Sequence, residues 1–227
     1  MLRVSGTSLC VLPLVALFGA SAALADGGGQ AGPAIGIGVS TLGVTGELSY
    51  KVIGNFVVRV NGNWASADYK PKLSDADVNG SLRIAGAGLI GDWHPFENGF
   101  RLSGGARWHQ ARFTGDISGQ SVTLNGVTYT PAQYGKLHGE IEPGNSFAPY
   151  VGIGWDSTHY SSGGFSVGFE VGAMYLGTPS AKLTASNAAA VPGLQVNANA
   201  EAKKQRNDFG KFGEFWPVVA LTAKYRF

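Results

Sequence analysis

The sequence predicts an all-β chain: an eight-stranded antiparallel transmembrane β-barrel with short turns at one end and long loops at the other. Three observations lead there. Segments alternating between apolar and polar residues recur along the chain, and period two is the signature of a strand whose faces meet different surroundings. No segment beyond the N-terminal leader approaches the ~20 apolar residues of a spanning helix, so only a closed barrel can satisfy its backbone within hydrocarbon. The connections also alternate in length, the asymmetry of bacterial barrels with tight turns on one side and long loops on the other.

Composition agrees. A chain of 227 residues is one ordinary domain or one barrel. Hydrophobic residues make up 44% and charged residues 14%, against roughly 25% charged in soluble domains. The 35 glycines recur inside apolar runs rather than only in linkers.

Residues 1–25 read as a signal peptide. Arg3 supplies a positive n-region, Leu9 to Phe18 an apolar core, and Ala23-Leu24-Ala25 a small-x-small cleavage site. Leu9 stands where a lipoprotein signal needs a small residue, so Cys10 is not a lipidation site. Cys10 is the only cysteine, which leaves the processed chain without disulfide, thiol nucleophile or cysteine metal site. Processing also removes Arg3, leaving 16 Lys and Arg against 15 Asp and Glu (17 − 1 against 15). That balance offers no field to attract nucleic acid.

Residues 26–33 (DGGGQAGP) form a flexible leader, and 34–227 the barrel. Eight strands follow, at about 33–41, 42–53, 56–68, 80–94, 100–113, 147–159, 165–178 and 214–227. The first is a short run, Ala34 to Ser40, with a corner near Thr41 to Gly43. In the second, Leu42, Val44, Leu48 and Tyr50 oppose Thr45, Glu47, Ser49 and Lys51. In the third, Phe56, Val58, Val60 and Trp64 oppose Val57, Arg59, Asn61 and Asn63. The fourth alternates imperfectly through Gly86 and Gly88. The fifth sets Phe100, Leu102 and Trp108 against Arg101, Ser103, Arg107 and His109. The sixth sets Val151, Ile153 and Trp155 against Gly152, Gly154 and Asp156. The seventh sets Phe165, Val167, Phe169 and Val171 against Ser166, Gly168 and Glu170. The eighth sets Val219, Leu221, Ala223, Tyr225 and Phe227 against Thr222, Lys224 and Arg226.

Long loops are expected at about 69–79, 114–146 and 179–213. Asn125-Gly126 lies between two short β-prone arms, a type I′ hairpin signal. Arms that short cannot cross a bilayer, which needs about 9–11 residues per strand. Ala198 to Asp208 has helix formers and reads as a short helix in the last loop.

Alternation alone does not separate a membrane barrel from a soluble sandwich. Two patterns favour the barrel. Trp64, Trp93, Trp108, Trp155, Trp216, Tyr50, Tyr175 and Tyr225 fall mostly near strand ends, as interfacial girdles do. The polar faces hold Glu47, Arg59, Arg83, Arg101, Arg107, Glu170, Lys224 and Arg226. In an eight-stranded barrel these line a narrow interior, where opposite charges can pair and offset their desolvation.

The ending Pro217 to Phe227 resembles the terminal strand of outer-membrane proteins, in which a final Phe on an alternating segment, here Tyr225 and Phe227, is read by the assembly machinery. The stretches Asp92-Trp93-His94-Pro95-Phe96, Gly99 to Ser103, Gly126 to Thr130 and Ala148 to Trp155 resemble a family of small proteobacterial outer-membrane barrels of unassigned activity. More distantly the chain is similar to the OmpA transmembrane domain, OmpX and OmpW. The resemblance implies residence in the outer membrane of a Gram-negative cell and contact with its lipid and lipopolysaccharide. Because the sequence stops at Phe227, no periplasmic domain of the full OmpA kind is expected.

Other motifs weigh little. His159-Tyr160-Ser161, with Glu170 following, loosely resembles the His-x-Ser motif of lipid A deacylases, but it falls beside an expected periplasmic turn rich in Ser and Gly. His94 and His109 lack ligand-spaced partners. His138 with Glu140 and Glu142 reads as a solvated loop rather than a cation site. Gly36, Gly38 and Gly43 have no βαβ context for a dinucleotide loop. Lys203, Lys204 and Arg206 form a small basic patch. The expectation is a monomeric, non-enzymatic outer-membrane protein without catalytic, cofactor or metal residues, serving a structural or surface role. A narrow solute channel is the alternative, and a lipid A esterase a more remote one.

Overall fold

A computed structural model describes residues 32–227 other than 71, 74, 75 and 163. The expected signal peptide and nearly all of the leader lie outside the described residues. The strands are β1 (Pro33–Ser40), β2 (Gly43–Ile53), β3 (Phe56–Tyr69), β4 (Lys72–Leu73), β5 (Ala76–Trp93), β6 (Phe100–Ser118), β7 (Val122–Leu124), β8 (Val127–Tyr129), β9 (Leu137–Glu142), β10 (Phe147–Asp156), β11 (Phe165–Tyr175), β12 (Ser180–Ala185) and β13 (Phe215–Arg226). Two helices, α1 (Pro131–Tyr134) and α2 (Leu194–Gly213), lie between them.

Eight of these strands close a ring in the order β1, β2, β3, β5, β6, β10, β11, β13, each pair antiparallel. Closure comes from β1 against β13, from Ala34 opposite Arg226 to Ser40 opposite Ala220. The ring leaves none of its strands with a free edge, which is what hydrocarbon demands of a sheet.

The alternation has an inverted sense. On β13, Val219, Leu221 and Tyr225 are exposed while Thr222, Lys224 and Arg226 are buried. On β11, Val167, Phe169 and Val171 are exposed while Glu170 is buried. On β2, Val44 and Leu48 face out while Glu47, Ser49 and Lys51 face in. Charged residues are rarely buried in water-soluble domains. Here the charged side is the interior.

Both ends of the described chain, and the short links after β2, β5 and β10, lie at one end of the barrel. The opposite end holds the links after β3, β6 and β11, besides a tight β1–β2 corner. At that corner Gly43 has φ of 101°, a left-handed value natural to glycine, and a Cβ there would strike the Trp64 carbonyl.

The long loops are more structured than the sequence suggests. β5 and β6 run 18 and 19 residues, about 60 Å at ~3.3 Å per residue, well beyond a hydrocarbon core of ~30 Å. Above the ring, β6 leaves β10 and pairs with β9, which pairs with β12. The expected hairpin is β7–β8, with Asn125 at φ 51° and Gly126 at φ 81°. The expected short helix extends to 20 residues as α2. Its Leu194, Ala198 and Ala202 form a buried stripe at helical spacing. Leu194 and Ala198 join Leu124, Tyr129, Tyr134, Leu137 and Ala185 in a second apolar core. The last two loops therefore fold into one cap.

Two aromatic and apolar assignments need correction. Trp216 does not join the outer girdle; it is inward and packs on the upper-barrel cluster that includes Leu42, Ile90, Met174 and Val218. Leu42 sits in the β1–β2 corner rather than on the outer face of β2, and is buried. Its carbonyl accepts a bond from Asn63, which fixes it over the lumen.

Inward glycines give the interior its shape. A Cβ at Gly172 would lie 2.5 Å from the Tyr150 hydroxyl and 2.5 Å from the Val151 carbonyl, and one at Gly152 would strike the same phenol. Gly172→Val is expected to destabilise the folded barrel by about 1–3 kcal/mol through overpacking. The outward neighbour Val171→Leu is expected to be nearly neutral. Urea midpoints of the detergent-folded protein, read by heat-modifiable gel migration, check both.

Candidate functional site

The inward polar residues converge in the middle of the barrel. Four cations, Arg59, Arg101, Arg107 and Lys224, meet four carboxylates, Glu47, Asp92, Asp156 and Glu170, all buried. The strand pleat puts them there. Glu47, Arg59, Asp92, Arg101, Asp156, Glu170 and Lys224 come from seven different strands of the ring, each on the inward parity of its strand.

Arg59 binds Asp92 at 2.9 Å through Nε, Glu170 at 2.5 Å through Nη2 and Glu47 at 3.4 Å through Nη1. Arg101 binds Asp156 at 3.0 Å, Asp92 at 3.3 Å and Glu170 at 2.6 Å. Lys224 Nζ binds Asp156 at 2.5 Å and also contacts Glu47. Arg107 lies 3.9 Å from Glu170 and donates to Asn61 at 3.1 Å. Tyr150 Oη donates to Glu170, and Ser103 Oγ donates to Asp92 at 2.6 Å. The Arg107 guanidinium also stacks 4.7 Å from the Tyr150 ring centroid.

An isolated buried ion costs several kcal/mol, and only close pairing with further hydrogen bonds offsets that. Arg59 and Arg101 each bridge three carboxylates, so no single pair stands alone. The four positive and four negative groups balance. The cluster is a cross-braced plug spanning the bore.

At the tight-turn end the plug continues in polar contacts. Arg226 donates to the carbonyls of Thr158 at 2.8 Å and Ser161 at 3.1 Å. His94 Nδ1 pairs with the Asn98 carbonyl at 2.9 Å, and its ring lies 4.6 Å from that of Tyr160. Lys51 Nζ sits 4.3 Å from the Tyr160 ring centroid. Burial, then the Glu97 carboxylate, pushes the Tyr160 hydroxyl up to about 12. His159, in the link after β10, is buried and its imidazole is pushed down to about 4, chiefly by desolvation.

The sequence-derived residues divide as follows. Glu47, Arg59, Arg101, Arg107, Glu170 and Lys224 lie in the plug, and Arg226 just below it. Arg83 does not face the lumen. It lies on the outward parity of β5, its side chain 56% exposed, bonded to Asp68 at 3.1 Å and in contact with Ser66. Outward charge is costly only at bilayer depth, and Arg83 lies above the ring of lipid-facing aromatics. Tyr225 and Phe227 are exposed at the barrel's lower rim, where Tyr225 stacks edge-on with Phe165 at 4.8 Å.

Sequence reasoning missed Asp92, Asp156 and Tyr150 as plug members. The parity of β5 and β10 carries the signal: Asp92 is in phase with Ile90, and Asp156 and Tyr150 with Gly152 and Gly154. The His159, Ser161 and Glu170 set forms no relay. His159 Nε2 meets Ser49 Oγ at 3.2 Å, while Glu170 is engaged by Arg59, Arg101 and Tyr150. His138 binds Asp116 at 2.7 Å, and Glu140 and Glu142 bind Arg112. The His138 and Lys136 contacts hold the Asp116 carboxyl below the usual carboxylate range.

No family model matches the chain, and no curated protein matches it. Solved structures do. The crystal structure of Acinetobacter baumannii CarO superposes with TM-score 0.60 at 22% identity, covering 87% of this chain and 98% of that one. That of Acinetobacter baumannii CarO2 gives 0.61 at 21% identity, covering 87% and 100%. The chain thus has the fold of the outer-membrane β-barrels. Its architecture is similar to that of the two CarO structures.

Arg101→Met leaves Asp92, Asp156 and Glu170 short of a cation and is expected to cost about 3–5 kcal/mol. Pairing it with Glu170→Gln is expected to recover part of the loss, as a double-mutant cycle of urea midpoints will show. His159 gives a pH test. Its folded-state value lies below the ordinary 6.5, so the unfolded chain binds more protons and stability falls as pH drops from about 6.5 toward 4. His159→Gln is expected to flatten that loss by on the order of 2 kcal/mol, measured as the difference between the two proteins' midpoints at neutral pH and near pH 4.5.

Proposed function

We propose that this chain is an integral outer-membrane barrel of a Gram-negative cell, closed to general diffusion, that displays a folded cap as a structural or surface-interaction element. The observation that carries the reading is the plug: eight buried ionised groups fill the bore, each braced to a neighbour across it. The apolar exterior supports a membrane location, and the CarO-like fold agrees with it. In this reading the tight turns face the periplasm and the cap faces outside. Tyr225 and Phe227, exposed at the lower rim, serve as the strand-terminal signal to the assembly machinery, and the protein works as a monomer in contact with lipid and lipopolysaccharide. Kinship with the OmpA, OmpX and OmpW class of small barrels belongs to the same reading, supported by the terminal strand. So does a non-enzymatic role: among the described residues the serine–histidine contact, Ser49 with His159, is buried inside the barrel.

A narrow channel is the alternative. Conductance in planar bilayers decides between them. The purified, heat-modifiable protein is expected to give no steady current above leak in molar KCl. Arg101→Met with Glu170→Gln, which removes a crossbar, is expected to raise open events above the parent. Steady openings of the unmodified protein would establish the channel instead.

A further inference from the structure

The outer face of β3, β5 and β6 carries a feature that the plug does not explain. Their register places Ser66 beside Arg83 and Arg83 beside Arg112 on one rung. The rung below it holds Trp64, Ala85 and Gln110. The next below holds Gly62, Ala87 and Trp108, with Phe147 beyond. Two arginines stand directly opposite each other on adjacent strands, both outward, with side chains 56% and 61% exposed. Like charges so placed repel and weaken a sheet. The tryptophans beneath them mark the interface of an aromatic girdle, so the arginine rung stands at headgroup height.

A groove of about 460 Å³ opens at this place, lined by Trp64, Arg83, Ala85, Gln110, Arg112 and Ser146 among others. Its floor is low because Ala85 is small between Trp64 and the arginines. Its far wall lies where the sheet forks: the β6–β10 pairing ends at Trp108 opposite Phe147, and the β6–β9 pairing begins at Phe113 opposite Ile141. At rest Arg83 is bonded to exposed Asp68, and Arg112 to half-buried Glu140 and Glu142, the last of which also lines the groove. The Arg83–Asp68 pair is exposed on both sides and weak, so it exchanges readily with water or another anion. The tetrahedral oxygens of a phosphate accept charge-assisted, two-pronged bonds from planar guanidiniums, and one phosphate offers oxygens to both.

Resting on the membrane orientation proposed above, we infer that the Arg83–Arg112 rung and its groove form a binding site for the phosphorylated headgroup of an outer-leaflet glycolipid. The phosphate bridges the two guanidiniums, the sugar lies on Ala85 and Gln110, and the acyl chains run down past Trp64 and Trp108. The shared phosphate then takes over the screening of the opposed arginines that Asp68, Glu140 and Glu142 supply at rest.

Native mass spectrometry of the full processed chain, folded in detergent, tests this with bisphosphorylated lipid A as the probe. The parent is expected to retain it at least about tenfold better than Arg83→Gln/Arg112→Gln, the loss of two charge-assisted contacts. Lys203→Gln/Lys204→Gln, on exposed α2, is expected to leave retention unchanged. Dephosphorylated lipid A is expected to be lost equally from all variants, and excess inorganic phosphate is expected not to displace the lipid. Equal retention by parent and arginine variant, or equal retention of dephosphorylated lipid, would overturn the site. Displacement by inorganic phosphate alone would overturn the glycolipid assignment. Heat-modifiable migration is read on every variant: a parent that does not fold in detergent contradicts the membrane reading itself, whereas a folded parent without lipid discrimination contradicts only this site.

Discussion

Charge buried away from bulk solvent is the constraint around which this barrel is built. A ring of eight strands has room for side chains and little else, and this ring fills the room with arginine, lysine, aspartate and glutamate. Removing such groups from water is costly unless every one finds a partner. Arg59 and Arg101 supply the solution by each spanning three carboxylates, and Lys224 spans two more contacts, to Asp156 and Glu47, so seven strands of the ring are tied through the middle as well as around the wall. The same crossbars that hold the wall together occlude the bore. Stability and closure are one property here, since a wider lumen would strand the ions that brace it.

The interior is graded along the barrel axis. Polar and aromatic contacts among Arg226, His94, Tyr160 and Lys51 occupy the tight-turn end. The ionic plug lies in the middle. Above it the interior turns apolar, with Leu42, Ile90, Met174 and Val218. Glycines at Gly152 and Gly172 leave the space that Tyr150 uses to reach Glu170, which joins the ionic layer to the apolar one. Past the ring, long β5 and β6 carry the sheet onward, and α2 closes a second core against it. The cap is therefore an extension of the wall rather than a loose loop.

The barrel was legible in the sequence because its alternation is strict where lipid touches it. On β11 and β13 the outward positions are nearly all apolar, and parity alone places Glu170, Lys224 and Arg226 inside. Legibility ended where that environment ends. Arg83 looks like a lumen residue by charge, yet β5 is interrupted by Gly86 and Gly88, and above the bilayer an outward arginine costs little. Asp92 and Asp156 are in phase with the lumen, but each sits at the end of its strand beside a turn, where an acidic residue looks ordinary. β9, β12 and the full length of α2 were hidden for another reason. Their order comes from pairing with distant β6 and from a shared apolar core, a tertiary effect that local pattern does not carry.

Depth and polarity around the barrel are measured most directly by spin labels on single cysteines. These are introduced at outward Val151 and Leu221 and at inward Ser103, in the processed chain reconstituted in lipid vesicles. Labels at 151 and 221 should collide freely with oxygen and scarcely with a water-soluble nickel chelate, while a label at 103 should be shielded from both. Strong nickel collisions at 151 and 221, or free nickel access at 103, would contradict a lipid-facing wall around a sealed, ion-braced bore.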